Sequence, residues 1–134
     1  MKALTMTQPW ASLVALGAKS IETRSWCTRY RGPLAIHAAR AFPVWCQDLA
    51  AAPTFHYWHK GWLPLGLVIC TVDLVDCVST EDIVASIDQR ELEFGNYGPG
   101  RFAWVFRNPR LIDPPIQARG YLWLWEWARP QEAA

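Results

Sequence analysis

The most restrictive feature of this 134-residue chain is the spacing of its large aromatic side chains. Phe102, Trp104 and Phe106 recur at every second position, as do Tyr121, Trp123, Trp125 and Trp127. Period two puts each set on one face of a β-strand. Strands loaded with rings on one face need a curled sheet with an interior, or a helix laid over them. Core packing is therefore the expected role of Trp104, Trp123 and Trp125, among nine tryptophans in all.

The rest of the chain reads as short strands with few helices. Ala3–Met6 is a short strand, and Trp10, Leu13, Val14 and Gly17 follow helical spacing over 9–16. Ser20–Trp26 alternates, with Glu22, Arg24 and Trp26 on one face and Ile21 and Thr23 on the other, and residues 34–39 alternate again. Residues 42–52 are helical in spacing and end at Pro53, and 53–65 reads as an irregular excursion. Leu67–Val78 is the longest strand, with a phase slip at 74–76 of the kind a β-bulge makes. Ser79 with Asp82 resembles a capping box opening a helix to about Ile87, and the glycine-rich stretch 91–101 reads as a loop. There is no βαβ rhythm. The expected fold is α+β, a small mixed or antiparallel β-barrel of about six strands with two or three flanking helices, in a single domain over residues 1–134.

The net charge of +1 hides a segregation. Residues 1–65 carry +5, 66–100 carry −6 and 101–134 carry +2. Ten of the thirteen cations are arginine, whose planar fork suits phosphate and whose flat face stacks on bases; a solvated surface of mixed sign is the plainer reading. Cys27, Cys46, Cys70 and Cys77 show no C-x-x-C pair, so free thiols in a reducing compartment are expected, with a cytoplasmic location. Apolar stretches fall short of the ~20 residues of a membrane span. His56 and His59 are three apart without converging ligands, so neither a metal nor another cofactor is expected.

Gly17-Ala18-Lys19-Ser20-Ile21-Glu22-Thr23-Arg24 is the segment richest in chemistry. A helix stops at a glycine, a lysine sits in the turn, and a strand then sends a carboxylate and a guanidinium to one side. Lys19 and Arg24 donate and Glu22 accepts, which suits a polar ligand with phosphate, carboxylate or amide groups, although a surface Glu–Arg pair beside a helix end has the same pattern.

This run, with Gln8-Pro9-Trp10-Ala11 before it and Trp26, Thr28–Gly32 and Ile36-His37-Ala38 after it, resembles the ASCH family of PUA-like barrels, whose signature is G-x-K-x-x-E-x-R. The resemblance continues through Val75–Val78, Tyr97–Trp104 and Gly120–Glu126. It implies a compact barrel, a cleft bordered by the signature, and binding of RNA, single-stranded nucleic acid or a modified nucleoside. Some members are amidohydrolases that remove the acyl group from N4-acetylcytidine, using a threonine nucleophile, a lysine and a glutamate, and ribonuclease activity is also associated with the family. Lys19 matches that lysine, but the nucleophile's position, three residues on, holds Glu22. If the chain is an enzyme, Lys19 and Glu22 are the expected catalytic pair, by a water-based route.

Around this segment, Trp26 and Tyr30 interleave with Arg29 and Arg31 as a base-stacking site would, or else close the barrel end. Trp10 and Trp62 are weaker candidates for the cleft. His37 leaves the apolar face of its strand, either toward the cleft or as a hydrogen-bonded structural group. Tyr97 and Arg101 flank glycines that permit a close backbone approach to a base and its phosphate, or merely a tight connection. The expected ligand-binding set is thus Lys19, Glu22, Arg24, Trp26, Arg29, Tyr30, His37, Tyr97 and Arg101. A protein-docking module is the third reading.

Overall fold

The computed structural model describes residues 1–130. Its strands are β1 (Lys2–Met6), β2 (Ile21–Arg24), β3 (Gly32–Ala38), β4 (Leu67–Ser79), β5 (Phe102–Gln117) and β6 (Leu124–Glu126). Its helices are α1 (Trp10–Ala15), α2 (Val44–Ala51), α3 (Pro53–His59), α4 (Thr80–Ile83) and α5 (Gln89–Phe94), with a 3-10 turn at Val84–Ser86. The strands form one sheet in the order β2-β5-β4-β3-β1-β6, in which only β1 and β3 run parallel. The α+β, six-stranded architecture is the expected one.

Long β4 and β5 form the spine of the sheet. Their register shifts three times, at Val68/Cys70, Thr71/Asp73 and Leu74/Asp76, and the last is the phase slip visible in the sequence. Each bulge bends its strand and adds twist, which curls the sheet around α1. The interior holds Leu4, Met6, Val14, Leu34, Ile36, Ile69, Val72, Leu74 and the fully buried Trp104. Trp125 and Trp127 pack with Ala3, Val68 and Ile112 in a second cluster, and Leu13, Phe55 and Phe94 join α1, α3 and α5 in a third.

Two stretches read as irregular are helical. Pro53 occupies the first turn of α3, where its missing N–H costs nothing, and Phe55 anchors that helix in the third cluster until Lys60 ends it in the left-handed region at φ 52°. Asp88 caps α5 by accepting from the Glu91 amide at 2.9 Å, so residues 91–94 lie in that helix and only the following stretch is loop. The Ser79–Asp82 box does not form; the Ser79 hydroxyl meets the Glu81 carboxylate instead.

The aromatic alternation breaks before β6. Trp123 adopts φ 62°, which turns its ring out of step with Trp125. Trp125 is buried as expected and Trp127 is buried with it, whereas Trp123 is 60% exposed and does not belong to the core. No described helix is long and apolar enough to cross a membrane.

Candidate functional site

β2 and β6 are the two edges of the sheet, and the curl brings them face to face. No backbone ladder joins them. β6 pairs only with Lys2–Leu4, and beyond it the Thr5 carbonyl accepts from Arg24 Nη2 of β2 at 2.7 Å. Trp26, just past β2, sets its ring 4.7 Å from Trp123, just before β6, and 4.6 Å from the buried Trp104. Side chains rather than strand pairing thus close the barrel, and this seam opens into a cleft of about 1610 Å³.

Glu22 and Arg24 project from β2 into the cleft. The Glu22 carboxylate, 13% exposed, meets Arg24 Nη2 at 3.2 Å through Oε2 and faces Lys19 Nζ at 3.7 Å through Oε1. Lys19 itself is fully buried behind the cleft wall, where its ammonium donates to the Phe94 carbonyl at 2.9 Å. Burial pushes the Lys19 pKa down, against the pull of Glu22 and Glu91. Lys19 is therefore a buried prop behind Glu22, not a cleft-facing donor.

Glu91 is the second acid near Lys19, and it was not among the expected site residues. It is buried, its Oε2 accepts from the Ser20 amide at 2.8 Å and the Ser20 hydroxyl at 2.7 Å, and its Oε1 has no hydrogen-bond partner among the described residues. The Asp88-x-x-Glu91 spacing of a helix N-terminus was the available signal. The Tyr97 hydroxyl is also buried without a partner among the described residues, and burial, then the charges of Glu91, Glu22 and Asp88, push its pKa upward.

His37 lines the cleft floor with both ring nitrogens engaged. Nε2 sits 2.7 Å from the Ala118 carbonyl, an acceptor only, so it carries the proton; Nδ1 then accepts from the Thr5 hydroxyl at 3.2 Å. That hydroxyl accepts in turn from Trp125 Nε1 at 3.1 Å. Every member of the chain is satisfied with a neutral imidazole, and burial lowers the His37 pKa. His37 thus lies toward the cleft and is hydrogen-bonded there through both nitrogens, so the two readings of it coincide in position.

Other expected residues fall outside the cleft. Trp26 serves the closure of the seam. Tyr30 donates from its hydroxyl to the Pro33 carbonyl and packs on the core, and exposed Arg29 lies in the same turn, away from the cleft lining. Arg101 does reach the cleft, pinning the 96 loop to β2 through the Asn96 carbonyl at 3.0 Å and the Thr23 carbonyl at 3.1 Å. Trp62 packs on the core, whereas Trp10 lines the cleft. His59 has both nitrogens on backbone groups, Ala50 O and Gly61 N–H. No cluster of three His, Cys, Asp or Glu side chains able to hold a metal occurs among the described residues.

The cleft also draws on residues that local pattern did not mark. Among the described residues, Arg40 and Arg119 join Arg24 and Arg101, against Glu22 and Glu93, and Trp45 and Trp123 face it from exposed positions. Thr23 touches the cleft too, but its hydroxyl accepts from the Asn96 amide at 3.0 Å beneath the Gly95–Asn96 loop. Asp73 is held by Arg110 and Asn108, and Asp76 by Arg31, so most of the acidic middle segment lies elsewhere.

Residues 4–128 match the sequence profile of the ASCH domain. Activating signal cointegrator 1 from Mus musculus and from Homo sapiens are each 29% identical over 129 residues, covering 90% of this chain and 21% of theirs, so the chain spans about a fifth of the length of these curated relatives. The crystal structure of ASCH from Zymomonas mobilis superposes with a TM-score of 0.60 at 15% identity, covering 96% of this chain and 87% of that one. A point variant of that protein gives 0.59, with 96% and 89% covered. At such identity the likeness is one of fold, and it matches the curled six-stranded sheet described above. With the profile spanning nearly the whole chain and the G-x-K-x-x-E-x-R run placed at the seam, this chain belongs to the ASCH domain family.

Proposed function

We propose that this protein binds single-stranded RNA, or a nucleobase presented by it, in the cleft at the β2–β6 seam. One observation carries the reading: a carboxylate acceptor, Glu22, stands beside four guanidinium-bearing walls in a cleft rimmed by exposed tryptophans. Glu22 accepts from a base amino group, Arg40 and Arg119 hold phosphate oxygens, and Trp45 and Trp123 offer faces on which bases stack. A grip is favoured over hydrolysis. The Lys19 ammonium is buried and committed to the Phe94 carbonyl and Glu22, so it is not free to activate a nucleophile in the cleft.

The test is a fluorescence titration with a short RNA, the same sequence as single-stranded DNA, and cytidine and N4-acetylcytidine as free nucleosides. RNA binding should weaken with salt, and Arg119→Ala should flatten the slope of log K against log salt by about 0.7, one phosphate contact on a single strand. Trp123→Ala should weaken binding by about 1–3 kcal/mol, the worth of one stacked base. Binding that is absent, or unchanged in both variants, refutes the cleft. Chromatography of the same mixtures decides between grip and chemistry: release of cytidine from N4-acetylcytidine, or shortened RNA, would replace the binding role with a hydrolytic one.

A further inference from the structure

The four cysteines are not equivalent. Cys46 and Cys70 are fully buried, and burial pushes the Cys70 thiol up to about 12. Cys27 is exposed in the turn between β2 and β3, and Cys77 lies on β4, 50 residues away in sequence. Their sulfurs are 3.2 Å apart, in S–H···S contact. A disulfide requires about 2.05 Å, so an approach of about 1.2 Å converts the contact into a bond, and Cys27 is the exposed partner of the pair. The Arg31–Asp76 ion pair at 3.7 Å already draws this turn toward β4. Burial, first of all, holds the Cys77 thiol up at about 11, which leaves solvent-facing Cys27 as the sulfur an oxidant meets first.

We propose that Cys27 and Cys77 are an oxidative cross-link site, closed to an intramolecular disulfide by a hydroperoxide and reopened by a dithiol. The Cys27 thiolate attacks a peroxide oxygen; the S–O bond forms, the O–O bond breaks, and hydroxide leaves and takes up the thiol proton as water. The Cys77 sulfur then attacks the Cys27 sulfenic sulfur, the S–S bond forms, and the second hydroxide leaves with the Cys77 proton. Two thiols lose two electrons, and one hydrogen peroxide becomes two waters. The product clamps the turn over residues 25–31 to β4. Trp26, next to Cys27, is thereby fixed in its contact with Trp123 at the seam. This site stands on the thiol geometry alone and does not depend on what the cleft binds.

The experiment uses the full chain and hydrogen peroxide, followed by denaturation, alkylation and mass spectrometry. The reduced protein should take four alkyl groups, one for each cysteine, and the oxidised protein two, with a peptide joining residues 27 and 77. Dithiothreitol should restore all four. Trypsin should cut after Arg29 and Arg31 roughly tenfold more slowly in the oxidised form, because the clamped turn opens less often. Cys27→Ser, an exposed substitution that leaves the core intact, should abolish the linked peptide and the protection together. The proposal is overturned if Cys27 ends as sulfinic or sulfonic acid, if the linkage is between molecules, or if all thiols survive.

Discussion

Gly120 offers the sharpest test of how the cleft floor is built. A Cβ there would lie 2.7 Å from His37 Cε1, His37 Nδ1 and Thr5 Oγ1, where real carbon contacts begin near 3.4 Å. Its φ lies outside the left-handed region, so Gly120→Ala carries no backbone strain and the effect is steric. Neither neighbour can retreat freely: the imidazole is held at 2.7 Å by the Ala118 carbonyl, and the Thr5 hydroxyl is held by Trp125 at 3.1 Å. A displacement of several tenths of an ångström breaks one or two of these bonds, about 1 kcal/mol each, on top of about 1–3 kcal/mol for overpacking. The lower entropy of the unfolded alanine chain returns about 0.4–1 kcal/mol. The net expectation is a loss of about 1–4.5 kcal/mol, about 3 at the centre, with about 3–4 °C in Tm for each kcal/mol in a domain of this size. Urea denaturation gives the free energy, and His37→Ala supplies the second leg of a double-mutant cycle. With the ring removed two of the three close contacts vanish and only the one to Thr5 Oγ1 remains, so Gly120→Ala should cost less in that background, with a coupling of at least about 1 kcal/mol. A Gly120→Ala protein as stable as the parent, or additive effects in the cycle, would refute the packed His37–Thr5–Trp125 floor.

Two further outcomes follow from the buried groups. Lys19→Met should lower stability by about 2 kcal/mol in urea denaturation, because the Phe94 carbonyl loses its donor and Glu22 and the buried Glu91 lose a cation, while relief of the lysine's own desolvation limits the damage. If Lys19 instead met the ligand directly, that variant would keep its stability and lose only binding. Burial depresses the His37 pKa below 6.5, so the folded state holds fewer protons there than the unfolded one. This contribution to stability is complete above pH 6.5 and is lost as pH falls below it, and denaturant midpoints should therefore drop between pH 7.5 and pH 5.5, less steeply in His37→Asn.

Several features were legible in the sequence because they are local. Alternation marked the strands, the slip at 74–76 marked a bulge, and the G-x-K-x-x-E-x-R run put Lys19, Glu22 and Arg24 at a helix–strand junction. Strand alternation also placed Glu22 and Arg24 on one side, where both meet the cleft. Helices α3 and α5 were hidden because their spans are short and bordered by proline or glycine, and tertiary anchors at Phe55 and Phe94 sustain them. Trp123 escaped because one left-handed residue reverses the face that period two assigns.

Periodicity reports which face of a strand is apolar; it carries no word on which strands become edges or how far a sheet curls. Those were settled only by the bulged pairing of β4 and β5, which carried β2 round to β1 and β6. That closure drew Trp26 and Trp123 together across the seam, while Lys19 is buried against the Phe94 carbonyl of α5 and Arg29 and Tyr30 stay out of the cleft lining. It also assembled one cleft from Thr5, Glu22, His37, Arg40, Arg119 and Trp123. The sequence by itself determined the family and the chemistry available at β2, and the tertiary closure decided which of those groups a ligand can reach.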